Sequence, residues 1–430
     1  MATRKYLSMD GLIKTLRSCI QAEKFTGCEK SPISWSDCIL SAFSIFHLKY
    51  PSLLQYNQRI NDEDDPLRRN LKRLYGIDNP PSDTCMRERL DQLSPKQFRR
   101  PFKKIFANLQ RGKMLESYRY LDGHHIISID GTGQYSSEKV HCKQCCKKEH
   151  RSGKTSYYHQ MLGAALVHPD IKTVIPLAPE PITKQDGNTK NDCERNASKR
   201  LLKDLRREHP HLKILVVEDA LASNQPHLSL LDSLNMKYVI GIKPVGHAYL
   251  FAQTEKMASN TVTITDDQDI VHQMKYTNNV PLNEQHQDFL VNVIHYTQTK
   301  PNGKQQHFSW VTNITITDDN AYDLMRAGRS RWRIENETFN TLKNQGYNFE
   351  HNYGHGKENL CSVFTMLMLL GFLIDQVQQL CCQHYQRART KERVLYALFE
   401  RIRSFVCIVP WSSWTELYDS IVTPKFFSSG

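Results

Sequence analysis

The sequence predicts an α/β chain: a mixed-sheet core broken by a β-rich insertion, with helical regions at both ends. Three observations carry this. Helical apolar spacing dominates residues 1 to about 115. From about 120 it gives way to short β-branched runs alternating with helical stretches, and after about 320 helical spacing returns. Apolar residues make up 39% of the chain, enough for real cores and too many for global disorder. A length of 430 residues suggests two to four units rather than one compact domain.

In the first unit, 1–115, residues 36–50 place Ile39, Ala42, Phe43, Phe46 and Leu48 on a helical stripe that Pro51 stops. The run Asn-Pro-Pro-Ser-Asp at 79–83 is a turn, and Ser82 or Asp83 can cap a helix over 84–93. Lys96, Arg99, Arg100, Lys103 and Lys104 follow. They suit a DNA-binding domain, although the helices alone would also suit a plain packing module.

Asp122-Gly123 makes a turn that opens the second unit, 120–243. Strands are expected over 125–130, 158–168 and 173–177, and then a helix over 192–208 ended by His209-Pro210. A strand over 213–217, a helix over 225–234 and a strand over 238–242 complete it. This succession is that of an RNase H-like α/β core, in which the first and fourth strands lie side by side. Alternating segments at 261–264, 289–295 and 307–316 indicate the β-rich insertion, 244–318. It explains a separation between Asp219 and Glu335 too long for a simple strand-to-helix link. Residues 319–382 return to the core with a glutamate-bearing helix, and 383–430 form a basic helical C-terminal region. The apolar run 363–374 is only 12 residues long. That falls short of the roughly 18–20 that span a bilayer, so it reads as a buried core helix and implies no membrane.

Three acidic residues carry the chemistry. Asp130 in Ile-Ile-Ser-Ile-Asp-Gly-Thr and Asp219 in Leu-Val-Val-Glu-Asp-Ala stand at the ends of strands expected to be neighbours. Burying a carboxylate there is costly unless it meets a cation. Glu218 alternates to the opposite face from Asp219, and Asp219 stands last, where the chain leaves the sheet. Glu335 lies in the basic helical run Arg-Trp-Arg-Ile-Glu-Asn, beside Arg331 and Arg333. Arg331, Glu335 and Lys343 fall near about 0°, 40° and 120° on an α-helix, one broad face. Three such carboxylates can hold two Mg²⁺ ions about 4 Å apart, with Mn²⁺ as a substitute, for in-line attack on a phosphodiester. No Ser or Tyr nucleophile is needed. With 57 Lys and Arg against 45 Asp and Glu, a net charge of +12 and a pI near 9.0, double-stranded DNA is the natural phosphodiester.

The stretch around Glu335 resembles the signature Tyr-x2-Arg-x3-Glu-x6-Lys of DDE transposases of bacterial insertion sequences, in particular the insertion-sequence-4 group and its relatives. Arg331 and Glu335 match Arg-x3-Glu, whereas Gly328 stands at the tyrosine position and Leu342 at the lysine position, with Lys343 following. The resemblance implies metal-dependent cleavage at element ends and strand transfer into target DNA, and a homodimer pairing two ends. It also implies a bacterial, cytoplasmic, nucleoid-associated protein. Arg331, Arg333 and Lys343 would contact DNA. Trp310, in the last strand of the insertion, would either pack in the core or stack on a flipped base, as an aromatic of the inserted region does in similar transposases. An RNase H-like nuclease without strand transfer, or a DNA-binding derivative that has lost catalysis, would share much of this sequence.

Twelve cysteines without an apolar leader read as reduced thiols. The densest group is His141-Cys142-x2-Cys145-Cys146-x3-His150. Cys142 and Cys145 have CxxC spacing, and Cys146, His150 or His159 could complete a structural Zn²⁺ site. A reduced, lysine-rich loop touching DNA is the plainer alternative. His124, His125 and His355 carry no assignment.

Overall fold

The computed structural model describes residues 4–25, 31–187 and 190–424. The N-terminal part is helical: α1 (Met9–Gln21), α2 (Trp35–His47), α3 (Leu53–Ile60), α4 (Pro66–Asn70), α5 (Asp83–Asp91) and α6 (Arg99–Arg111). Serine caps start several of these helices. Ser34 accepts from the Asp37 amide and Ser82 from the Cys85 amide, which satisfies amides that a first turn leaves unpaired. The β segments that follow are β1 (Arg119–Tyr120), β2 (His124–Ser137), β3 (Cys146–Glu149), β4 (Thr155–Val167), β5 (Ile175–Pro176) and β6 (Glu180–Ile182). Next come α7 (Lys190–Glu208), β7 (Ile214–Glu218), α8 (Gln225–Ser233), β8 (Lys237–Gly241) and α9 (Ala248–Lys256). The inserted strands are β9 (Asn260–Thr265), β10 (Val271–Asn283), β11 (His286–Thr299) and β12 (Gln305–Thr312). Six helices close the chain: α10 (Ala321–Arg329), α11 (Asn340–Asn344), α12 (Leu360–Cys381), α13 (Gln383–Glu392), α14 (Leu395–Ile408) and α15 (Trp414–Val422).

All the strands belong to one sheet, whose main order is β3-β4-β2-β7-β8-β12-β11-β10-β9. β2 runs antiparallel to β4 and parallel to β7, and β7 is parallel to β8. The expected core strands and their adjacency are therefore present. The insertion does not form a separate sheet, because Val311 of β12 pairs with Ile240 of β8 and the insertion extends the core sheet edge to edge. Within it, β10 and the helix α9 were not anticipated. The polar alternation of β10, with Gln273, Lys275, Asn278 and Asn279, hides a strand whose buried face is Met274, Tyr276, Val280 and Leu282.

α12 is the apolar axle of the helical body. At 22 residues and a mean hydropathy of 1.9 it is long and apolar enough to cross a membrane, yet 89% of that stretch is buried against the rest of the protein. The 12-residue run is the middle of a longer helix, in keeping with the helical apolar spacing that the sequence carries over 360–380, and Asp375, Gln376 and Gln378 continue it. Asp375 is buried with Lys49 and Tyr347, so its charge is paired. The N- and C-terminal helices share this core. Asn70 donates to the Val406 and Val409 carbonyls at 2.7 and 2.8 Å, and the Trp414 ring meets His47 and Tyr75 edge-on.

Candidate functional site

Asp130 does not end its strand. β2 continues through Gly131, Thr132 and Gly133 to Ser137, paired throughout with β4, with a bulge between Gly133 and Tyr135. Its other neighbour does end there: pairing with β7 stops at Ser128↔Val217. Asp130 therefore faces a sheet edge that opens two residues earlier, and this leaves a largely buried carboxylate partly accessible in the middle of a strand.

The same register places Asp219 opposite Asp130, one residue past the end of β7. Residues opposite each other in adjacent strands share a face, so Asp130 and Asp219 lie on one side and Glu218 on the other. Glu218 is buried there and takes a 2.7 Å hydrogen bond from His227 Nε2. Asp219 is exposed, and its Oδ1 accepts from the Leu221 amide at 2.9 Å as the chain turns towards α8. Asp130 and Asp219 line one small cleft at this end of the sheet, and Glu218, His227, Glu194 and Arg195 line it too.

Glu335 approaches from above Asp130. Ser128 Oγ donates to the Arg331 carbonyl at 3.0 Å, fixing the chain over β2. One guanidinium nitrogen of Arg331 lies 3.1 Å from Asp130 Oδ2 and 2.7 Å from Glu335 Oε1. Burial pushes the Asp130 carboxyl up to about 7, helped by its hydrogen bond with Glu335 and that group's charge, while Arg331 and the Gly131 amide pull it down. The close fit depends on Gly163, which pairs with Asp130 on β4. A Cβ at Gly163 would lie 2.9 Å from the Phe339 ring, so the absent side chain lets the Glu335 segment settle onto the sheet.

That segment is not the single α-helix expected. α10 ends at Arg329, and Ile334–Phe339 forms a π-helix before α11. On an α-helix a residue seven after Glu335 falls about 20° from it, and one eight after falls about 80° away. A π-turn takes up one extra residue, which shifts the helical positions that follow Glu335 by one. Lys343 forms a 2.8 Å ion pair with Glu350 and lines a groove of about 830 Å³ with Lys147, Lys148, His150 and Tyr158. The groove adjoins β2 at Gly133, three residues beyond Asp130.

Other expected DNA contacts have structural duties. Trp310 is 5% exposed, stacks on Phe308 and packs against Gly328, so it is a core residue and not a base-stacking one. A Cβ at Gly328 would lie 2.6 Å from its indole, which is why the tyrosine position of the signature carries no side chain here. Arg333 is held by Glu337 at 3.2 Å and the Pro169 carbonyl at 2.7 Å, and pins the helix to the sheet edge. Arg331 is committed to the two carboxylates. In the first unit Arg99 is buried against Glu208, at 2.6 Å, whereas Lys96, Arg100, Lys103 and Lys104 are exposed.

The cysteine–histidine group is also rearranged. Cys142 and Cys145 come together with His159 and His355, whereas Cys146 and His150 do not join them. Cys146 turns to the other side of β3, where burial pushes its thiol up to about 12 and its Sγ approaches the Ile182 carbonyl. His150 sits in the β3–β4 turn, hydrogen-bonded to Ser156. His159 was one of the alternatives considered; His355, far away in sequence, gave no signal.

No curated protein matches the chain. The family model described as the transposase DDE domain matches residues 123–371, more than half of the chain and the whole span from β2 to the middle of α12. The sheet that carries Asp130, the turn after β7 that carries Asp219, and the segment in which Glu335 meets Asp130 across Arg331 all fall inside the matched region, and the chain belongs to the DDE transposase family.

Proposed function

We propose that this DDE transposase cuts DNA at the ends of a bacterial insertion sequence and joins the freed 3′ ends to target DNA, with Asp130, Asp219 and Glu335 as its catalytic carboxylates. The carrying observation is that the register of the parallel β2–β7 pair, carried two residues past its last pair Ser128↔Val217, brings Asp219 level with Asp130, and that Glu335 meets Asp130 across Arg331. The order β4-β2-β7-β8, with β2 parallel to β7 and β8, supports an RNase H-like core. Arg331, with the π-turn shifting the positions after Glu335 by one, supports kinship with the insertion-sequence-4 group.

The donor set fits hard divalent cations. Asp130 and Glu335 share the Arg331 guanidinium, and Asp219 lines the same cleft as Asp130, a set of oxygen donors of the kind Mg²⁺ or Mn²⁺ takes. Asp130, Asp219 and Glu335 would hold them, and bound ions supply the Lewis-acid charge for in-line displacement at phosphorus. The chain's own residues do the rest. Arg331 orients Asp130 and Glu335, and Ser128 and Gly163 fix the height of that segment above the sheet. Lys148, with Lys147 and Lys343 once they part from Glu149 and Glu350, would face a DNA strand leaving the cleft. Two element ends imply two copies of the chain, a homodimer on DNA, acting in the bacterial cytoplasm.

The test uses DNA carrying the flanking ends of the native locus, in Mg²⁺ and in Mn²⁺. Wild type should cut and join, and Asp130→Asn, Asp219→Asn and Glu335→Gln should each bind the ends and do neither. Cutting without joining would favour the simple nuclease. Binding by wild type with no cutting in either metal would leave a DNA-binding derivative, and normal cutting by a variant would remove that residue from the site.

A further inference from the structure

The β2–β4 hairpin and the loop before α12 meet at a cluster that DNA cleavage does not use. Cys142 and Cys145 lie in the link between β2 and β3, where the Cys145 amide donates to the Cys142 carbonyl and closes a tight turn. The two Sγ atoms are 3.9 Å apart. His159, on β4, brings Nε2 within 3.3 Å of Cys142 Sγ. His355, from the far end of the matched region, brings Nε2 within 3.4 Å of Cys145 Sγ. All four ligand atoms lie within 4.8 Å of one another. Tetrahedral Zn²⁺ with thiolate bonds near 2.3 Å and imidazole bonds near 2.0–2.1 Å needs separations of roughly 3.3–3.8 Å.

The setting is costly without an ion. Cys145, His159 and His355 are buried, and His355 Nδ1 has no hydrogen-bond partner among the described residues. A buried imidazole whose other nitrogen meets only a thiol is poorly satisfied. The surroundings are nevertheless firmly held. The Tyr135 ring packs on His355 at 4.4 Å, and Lys143 pairs with Glu358 at 2.8 Å just outside. Asp91 of α5 accepts from the amides of Lys357, Glu358, Asn359 and Leu360, fixing the loop two residues after His355. Fixed donors from three stretches of chain, two soft and two borderline, match a closed structural zinc site.

We propose that Cys142, Cys145, His159 and His355 bind one Zn²⁺, clamping the β2–β4 hairpin, and with it the Lys147–Lys148 wall of the groove, to the loop that enters α12. This inference is independent of the transposition chemistry, and none of its readouts involves DNA.

Full-length protein purified without added metal is expected to carry one zinc per chain through dialysis against a weak chelator. Cobalt exchanged into it should show the visible bands of a tetrahedral site together with thiolate-to-cobalt charge transfer. Asp130→Asn should keep the zinc, which separates this site from the carboxylates. His355→Ala should lose it, and His355→Cys should keep one equivalent with stronger charge transfer, deciding the matter if the alanine variant does not fold. Wild type without zinc and without a tetrahedral cobalt spectrum overturns the proposal. So does a His355→Ala protein with a full equivalent and an unchanged spectrum, or a His355→Cys protein whose cobalt spectrum gains no thiolate.

Discussion

At Gly328 the chain has no room for a side chain, because the Trp310 indole fills the space in front of it. Gly328→Ala should therefore cost about 1–3 kcal/mol through overpacking, seen as a lower Tm and partly relieved by Trp310→Phe. Trp310→Ala alone should cost about 3–5 kcal/mol in urea unfolding. Binding of element ends by the folded fraction should be unchanged; weakened binding at equal folded concentration would return Trp310 to the DNA. Single residues were legible in the sequence where the signal was local. Helical spacing was enough to pair Arg331 with Glu335, whereas strand alternation separated Glu218 from Asp219 without choosing between them. The metal-ligand set was not legible, because Cys146 and His150 are near in sequence and turned away, whereas His355 is distant in sequence and adjacent in space.

Among the elements, the segment from Arg331 to Asn344 departs most from its sequence pattern. Its apolar spacing reads as a helix, and no local residue announces the π-turn at Ile334–Phe339. The turn is fixed by tertiary contacts: Phe339 on Gly163, Ser128 on the Arg331 carbonyl, Arg333 on Pro169. Gly163→Ala should lift this segment off β4 and move Glu335 away from Asp130. A displacement near 1 Å costs on the order of 10²-fold in rate. Cleavage should fall by about that factor while binding to ends stays within experimental error. Cleavage at the wild-type rate would show that Phe339 yields and the glutamate stays. The core strands were legible for the opposite reason. β7 and β8 are short, apolar apart from Glu218 and Lys237 at their ends, and bounded by turns, so local pattern and tertiary place agree.

Across the whole molecule, the helical body and the sheet are joined at the end of α7. Arg99 of α6 sits buried among Glu208, Asp204 and Glu180, and the Phe106 ring lies 4.5 Å from that of His209. Burial, with the charges of Lys103, Arg99 and Arg206, lowers the His209 pKa to about 4. The unfolded chain takes up this proton near pH 6.5, and the folded chain only near 4, so acid favours unfolding in between. The stabilisation is complete above about pH 6.5 and lost as the pH falls towards 4, on the order of 3 kcal/mol. His209→Gln should flatten the fall in Tm over that window. An equally steep fall would assign the acid sensitivity to other groups.

The helical body also sets an order of events at the ribosome. α1, α2 and α5 bury their apolar faces on α12, and Asn70 and Tyr75 find partners in the last helices. During synthesis those faces emerge first and wait, exposed, for nearly the entire remaining chain. Asp130 and Asp219 are likewise translated well before Glu335, so a chain that ends before Glu335 lacks the third of the carboxylates proposed for the site. A nascent chain that stops short of α12 thus leaves the apolar faces of α1, α2 and α5 uncovered, the condition under which unfinished chains aggregate.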